Sequence, residues 1–160
     1  GGGTNLDSCQ RRNGMDINET LNEVLVKLFR DINTIEEKAI RTEEYRDVTA
    51  NDMHVIEAIG TGEPKNMTTV AKLLSVTTGT LTISMNSLVK KGYVQRIRSE
   101  EDRRVVLVSL TEKGKRAFAH HKRFHDAMIR EVLKGLDEKE QEVLRRSLLN
   151  LMAFFEEMKG

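Results

Sequence analysis

Thr78, Thr80, Thr82, Ile83, Asn86, Ser87 and Lys90 fall on the side of a helix opposite Leu81, Met85 and Leu88 when residues 78–91 are placed at helical spacing. Such a side suits the major groove of a duplex: hydroxyls and an amide hydrogen-bond base edges, methyl-bearing side chains touch thymine, and a lysine meets phosphate. Farther along, Asp102, Arg103 and Arg104 end SerGluGluAspArgArg, a run too polar to bury between two strand-like segments, 93–98 and 105–110. An arginine at a hairpin tip can enter a narrow minor groove, where the potential is most negative, and Asp102 can orient one guanidinium by a charge-assisted pair. A solvated turn is the plainer account of these arginines in an isolated hairpin, and the balance reverses when the hairpin follows a polar-faced helix.

The elements that must position these groups are short. Val70, Ala71, Leu73 and Leu74 predict a helix that starts behind Thr68 or Thr69 as its cap, and Ser75, Val76 and Thr77 interrupt it. Thr77 or Thr78 caps the second helix, and Gly92 ends it with a residue that takes positive φ at little cost. Helix, turn, helix and charged hairpin make a winged helix-turn-helix, whose second helix docks in the major groove. Phosphate contacts are expected from Thr68, Thr69, Lys72, Lys90, Lys91, Arg96 and Arg98, and base or groove contacts from Thr78, Thr80, Thr82, Ile83, Asn86, Arg103 and Arg104. From Lys65 to Arg104 eight cations oppose three carboxylates, a local charge of +5 in a chain of net +1, which leaves −4 for the remainder. Positive charge is thus gathered on the segment proposed to face phosphate.

The flanks are helical. Ile17, Leu21, Val24, Leu25, Leu28, Phe29, Ile32, Ile35 and Ile40 recur at helical spacing over roughly 35 Å at 1.5 Å per residue, more than one small winged domain can cover. Thr111 is expected to cap a helix to about Lys134, Gly135 and Leu136 to break it, and Asp137 with Glu140 to start a last helix bearing Val143, Leu144, Leu148, Leu151, Met152, Phe155 and Met158. The expected fold is mainly α with a small β-wing (α+β): residues 49–110 form the DNA-binding lobe, and 15–48 with 111–160 a helical dimerisation region. The alternative to an intertwined homodimer is a monomeric bundle. Residues 1–14, GGGTNLDSCQRRNG, have no periodicity and are expected to be added residues outside the fold. Cys9 lies among them, so no disulfide framework is available, which is compatible with a cytoplasmic location. No apolar run reaches membrane-spanning length.

Enzymatic readings find little to stand on. Gly60 and Gly62 flank a turn with Pro64 and no phosphate-loop Lys-Ser/Thr follows, there is no nucleophile elbow, and the carboxylates sit on polar helical faces. No cofactor is expected. A winged helix that binds protein instead of DNA remains the second non-enzymatic class. His121 and His125, four apart on one helix, have the spacing of a two-ligand metal site, with Glu36, Glu37, Glu43 and Glu44 as partners; solvated or interface histidines are the plainer account.

Residues 68–114 resemble the MarR family of bacterial transcriptional regulators. Asp102 and Arg104 fill that family's Asp-x-Arg wing motif, and Leu110, Thr111 and Gly114 its Leu-Thr-x-x-Gly lead-in to a long helix; the likeness covers nearly everything after Met15. The strings DMHVIEAIG, GTLTISMNSLVKKGYVQRIRSEEDRRVV and HKRFHDAM are similar to the branch that represses fatty-acid biosynthesis. The resemblance implies a homodimer, double-stranded DNA as partner, and an effector in a crevice beside the lobe. In that branch the effector is an acyl chain on acyl carrier protein, a corepressor. By the same resemblance an acyl tunnel is placed near Met53, His54, Ile56 and Ile59, and the acidic carrier protein on Lys122 and Arg123. Ordinary core is the alternative for each tunnel residue. A zinc- or small-molecule-responsive member of the same family is the alternative function, and the absence of a thiol in the first helix argues against a peroxide sensor.

Overall fold

Asp16 begins the first regular element: its carboxylate accepts the Glu19 N–H at 2.8 Å, satisfying a donor that a helix start leaves unpaired. α1 (Ile17–Asn22) then runs unbroken through a π-helical turn (Glu23–Leu28) into α2 (Phe29–Ile40); within the turn the Phe29 N–H reaches back five residues to the Val24 carbonyl. The expected long helix is therefore present, with one turn widened. Its stripe of Ile17, Leu21, Leu25, Leu28 and Phe29 faces solvent in the single chain, and Ile40 at its end is buried. The structure, a computed structural model, describes residues 13–42 and 44–160. Most of the segment expected to be added, with Cys9, lies outside the described residues, as does Glu43.

Two compact units divide the chain, one running to His121 and one from Lys122 to Gly160. Ala117 and His121, near the end of the first unit, are buried within it. In that unit Thr49 and Asp52 form a reciprocal capping box at the start of α3 (Ala50–Ile59). α4 (Met67–Leu74) is capped by Asn66, whose side-chain oxygen accepts the Thr69 N–H at 2.8 Å. The sequence pattern points to Thr68 or Thr69 as the cap. Asn66 displaces them because it stands just before the first helical residue, with extended backbone and an acceptor aimed at the third N–H.

Thr77 caps α5 (Thr78–Lys91), and the helix ends on Gly92 at φ 87°. Leu81, Met85 and Leu88 point inward and are buried, as their spacing predicts. β2 (Val94–Arg98) and β3 (Val106–Leu110) make the hairpin, in register from Val94 opposite Leu110 to Arg98 opposite Val106. A two-residue strand, β1 (Lys65–Asn66), pairs on the other edge of β3, giving the sheet order β1-β3-β2. Sequence patterning does not reveal β1, because two residues cannot display an alternation. Val108 and Leu110 turn toward Ile56, Val70, Met85 and Tyr93 in one continuous core.

α6 (Glu112–Leu133) crosses from the first unit into the second. Its start explains the Leu-Thr-x-x-Gly pattern. The Thr111 hydroxyl donates to the Gly92 carbonyl at 2.6 Å and accepts the Gly114 N–H at 3.1 Å, while the Thr111 N–H donates to the Tyr93 carbonyl at 3.0 Å. A Cβ on residue 114 would lie 2.1 Å from the Tyr93 carbonyl oxygen, so only glycine lets the two backbones meet. In the second unit Gly135, at φ 79°, ends the turn, and Asp137 with Glu140 forms the capping box of α7 (Glu138–Lys159). Leu148, Met152, Phe155 and Met158 along α7 are exposed. No helix among the described residues is long and apolar enough to cross a membrane.

Candidate nucleic-acid interface

The helix-turn-helix corner is built by two non-identical caps. α4 closes on Ser75 in the left-handed region, φ 55° and ψ 42°, with the Val76 N–H returned to the Ala71 carbonyl. Two residues later the Thr77 hydroxyl accepts the Thr80 N–H and starts α5. The corner presents Thr78, Thr80, Thr82, Ile83, Asn86 and Lys90 together on the solvent side of α5, and Thr68, Thr69 and Lys72 on the outward side of α4. Ile83 is 75% exposed on that side and offers methyl groups of the kind that touch thymine. The Thr82 hydroxyl already donates to the Thr78 carbonyl at 2.7 Å, which leaves its lone pairs and methyl group for a partner. Asn86 Oδ1 accepts from the Arg96 guanidinium of β2, so Arg96 aims the amide as well as standing near it.

The wing is ordered by its own carboxylate. Asp102 Oδ1 accepts from the Arg104 backbone N–H at 3.0 Å and from Nε at 3.1 Å, while Oδ2 accepts from Nη2 at 3.1 Å. Arg104 holds the Asp102 carboxyl below the usual carboxylate range, by side-chain and then backbone hydrogen bonds. The Arg98 guanidinium donates to the Arg103 carbonyl at 2.9 Å, tying the tip back to β2. The Arg104 side chain is 90% exposed, so the pair presents a fixed guanidinium to solvent.

Lys91 departs from the expected phosphate contact. Its ammonium donates to the Asp47 carbonyl at 2.7 Å and to Asp52 Oδ2 at 2.8 Å, because buried Asp52 requires a counter-charge and Lys91 is in reach. Sequence reasoning missed this tie, and likewise the Tyr93 hydroxyl donating to Asp47 Oδ1 at 2.7 Å and the Asn51 amide donating to Ser84 on α5 at 3.1 Å. No local pattern announces contacts between residues so far apart in the chain.

The other expected sites divide. Met53, Ile56 and Ile59 belong to the buried core, and only His54 of that group is exposed, over a shallow depression with Glu57, Ala58, Leu73 and Leu74. His121 is 2% exposed, its Nε2 lying 2.6 Å from a Glu57 carboxylate oxygen and 3.1 Å from one of Glu36. His125 belongs to the second unit, where its ring meets Phe124 edge-on. Lys122 and Arg123 are exposed there, Lys122 paired with Asp126 at 2.9 Å.

Residues 38–121 match the family described as transcriptional regulator SarA/Rot. Among solved structures, FabT of Streptococcus pneumoniae in complex with DNA has a TM-score of 0.77 and 40% identity, over 88% of this chain and 99% of that one. The uncharacterised HTH-type transcriptional regulator YpoP of Bacillus subtilis is 29% identical over 66% of this chain and 69% of that protein. The HTH-type transcriptional regulator SarZ of Staphylococcus haemolyticus is 41% identical over 42% of this chain, a match that spans 46% of that protein's own length. YpoP and SarZ are both HTH-type transcriptional regulators, and FabT is seen bound to DNA.

Proposed function

The chain belongs to the MarR/SarA family of winged-helix transcriptional regulators, and on that premise we propose that it is a dimeric repressor of a pseudo-palindromic operator, with fatty-acid biosynthesis genes as targets. One observation carries the DNA part of this reading. The outward side of α5 gathers hydroxyls, an amide, Ile83 and Lys90, and Asp102 fixes Arg104 on the wing beside it. α5 reads the major groove through Thr78, Thr80, Thr82, Ile83 and Asn86, while Arg103 and Arg104 enter the minor groove. Thr68, Thr69, Lys72, Lys90, Arg96 and Arg98 meet phosphate.

The exposed apolar stripes of α1, α2 and α7 are the reason to propose a homodimer, with residues 15–48 and 111–160 as its dimerisation region and 49–110 as the reading lobe. Two-fold symmetry then requires inverted half-sites about one helical turn, roughly 10 base pairs, apart. If six to ten phosphates are neutralised per dimer, affinity falls by about 10³ to 10⁵ between 50 and 200 mM salt.

The target and corepressor rest on finer likeness, namely the strings shared with the fatty-acid branch and the 40% identity to FabT. In this reading an acyl chain on acyl carrier protein binds near Met53, His54, Ile56 and Ile59, the carrier protein docks on Lys122 and Arg123, and binding strengthens the grip on DNA. Since Met53, Ile56 and Ile59 are core residues in the single chain, the acyl chain must enter by displacing them, and it acts only through unequal affinity for two arrangements of the dimer. Selection of purified protein against random duplexes should return an inverted repeat, and acyl-acyl carrier protein, unlike the unacylated carrier, should tighten binding to it. Failure to bind any duplex overturns the DNA reading; equal binding with both carriers overturns the corepressor alone.

A metal- or small-molecule-responsive regulator is the second reading, favoured by one observation: buried His121 meets two carboxylates, Glu36 and Glu57. The His121 nitrogen and a Glu36 carboxylate oxygen, 3.1 Å apart, are ligand types that suit zinc. Zinc added to metal-free protein would raise the melting temperature if this reading holds, and Glu36→Gln would abolish the rise.

A further inference from the structure

The end of α5 is tied to groups far from any base. Lys91 Nζ donates both to the Asp47 carbonyl at 2.7 Å and to Asp52 Oδ2 at 2.8 Å. One residue past the Gly92 cap, Tyr93 is fully buried and its hydroxyl donates to Asp47 Oδ1 at 2.7 Å. Lys113 on α6 closes the cluster: its ammonium donates to the Lys91 carbonyl at 3.1 Å and lies 4.3 Å from the Tyr93 ring centroid. Asp52 in turn caps α3 through Thr49. Recognition helix, α2–α3 connection, α3 and α6 therefore converge at one corner, and every charge there has a named partner.

We propose that Tyr93 and Lys91, held by Asp47 and Asp52, are positioning residues for DNA reading: they fix the C-terminal end of α5 to the α2–α3 connection and so set the angle at which its polar side meets the groove. The proposal rests on the DNA-reading function above. Two facts favour positioning over filling of space. Lys91 directly follows Lys90, which lies on the side toward the proposed groove, yet Lys91 is drawn away from it. The Tyr93 hydroxyl also donates to the side chain of exposed Asp47, although a phenylalanine would fill the core equally well. A groove contact displaced by about 1 Å loses most of its hydrogen-bond geometry, so a rigid end to α5 matters more to specific binding than to folding.

The test uses the full chain and the operator returned by selection. Tyr93→Phe and Asp47→Ala, by loosening the end of α5 in the free protein, should each weaken specific binding by roughly tenfold, about 1.4 kcal/mol. The double variant should be no weaker than either single one, and Asp47→Asn, which keeps an acceptor oxygen, should restore most of the affinity. The slope of log affinity against log salt should stay at the wild-type value in all of them, whereas Lys90→Ala, removing one phosphate contact from each protomer of the dimer, should reduce the magnitude of the slope by about 1.8. Wild-type affinity in folded Tyr93→Phe, or a reduced slope, overturns the proposal. Amide exchange supplies a readout that needs no DNA: in Tyr93→Phe, residues 88–93 and 44–49 should lose protection together. Should the wild type ignore every duplex, the DNA reading fails with its positioning role, while unchanged exchange shows separately that the tie itself is absent.

Discussion

Replacing Gly114 by alanine puts one methyl group where the fold has room for none. The added Cβ would sit 2.1 Å from the Tyr93 carbonyl oxygen, 3.1 Å from its carbon and 3.2 Å from Leu110 Cβ. Reaching a tolerable 3.0 Å requires α6 to retreat by about 0.9 Å. That retreat strains three hydrogen bonds at the same corner: Thr111 N–H to Tyr93, Thr111 hydroxyl to Gly92, and Gly114 N–H to Thr111. At about 1 kcal/mol for each bond lost and about 1–3 kcal/mol for overpacking, with partial relaxation, Gly114→Ala should destabilise the protein by about 2–5 kcal/mol. Urea denaturation at fixed protein concentration measures it. Gly62→Ala is the control, since a Cβ there meets nothing within 4 Å. If Gly114→Ala unfolds within about 0.5 kcal/mol of the wild type, the steric account of the Leu-Thr-x-x-Gly corner is wrong.

Arg104→Ala should weaken operator binding at least about tenfold without altering the oligomer measured by light scattering; an unchanged affinity removes the wing from the reading. Ser75→Gly relieves a left-handed serine in the helix-turn-helix corner and should stabilise by about 0.5–1 kcal/mol, after the entropy glycine adds to the unfolded chain. A lower urea midpoint would refute that account. Burial, and then the hydrogen bond and charge of Asp47, raise the Tyr93 phenol above its ordinary value. A raised group gives stability that is whole below its unfolded value, about pH 10, and lost above it, so between about pH 9 and 11 the wild type should lose more stability than Tyr93→Phe. Parallel loss in the two proteins would sink this assignment.

Much of the site was legible because it depends on local pattern. The Leu81, Met85 and Leu88 stripe, Gly92 at positive φ, and the Asp137–Glu140 capping box all arise from spacing within one or two turns, and each stands where the sequence puts it. The cap of α4 was less legible: Asn66, Thr68 and Thr69 all carry suitable oxygens, and the choice among them depends on where the backbone first turns helical. Lys91 shows the deeper limit. Its neighbour Lys90 and the surrounding hydroxyls suggest phosphate, and only the folded chain brings Asp52, thirty-nine residues earlier, within 2.8 Å. Gly114 was visible as part of a family pattern, but its steric cause needs the Tyr93 carbonyl in place.

The widened turn at Glu23–Leu28 makes the long N-terminal rod tolerant of a change in length at one place only. A π-helical turn accommodates a surplus residue without altering the rotational phase of the helix beyond it. Excising Val26 should let the ladder relax to ordinary α-helix with Ile17 and Ile35 still aligned as before. Excising a residue between Phe29 and Ile40 should instead swing everything beyond it by about 100°. The rod thus carries a built-in splice point, and shortened homologues would be expected to differ there first.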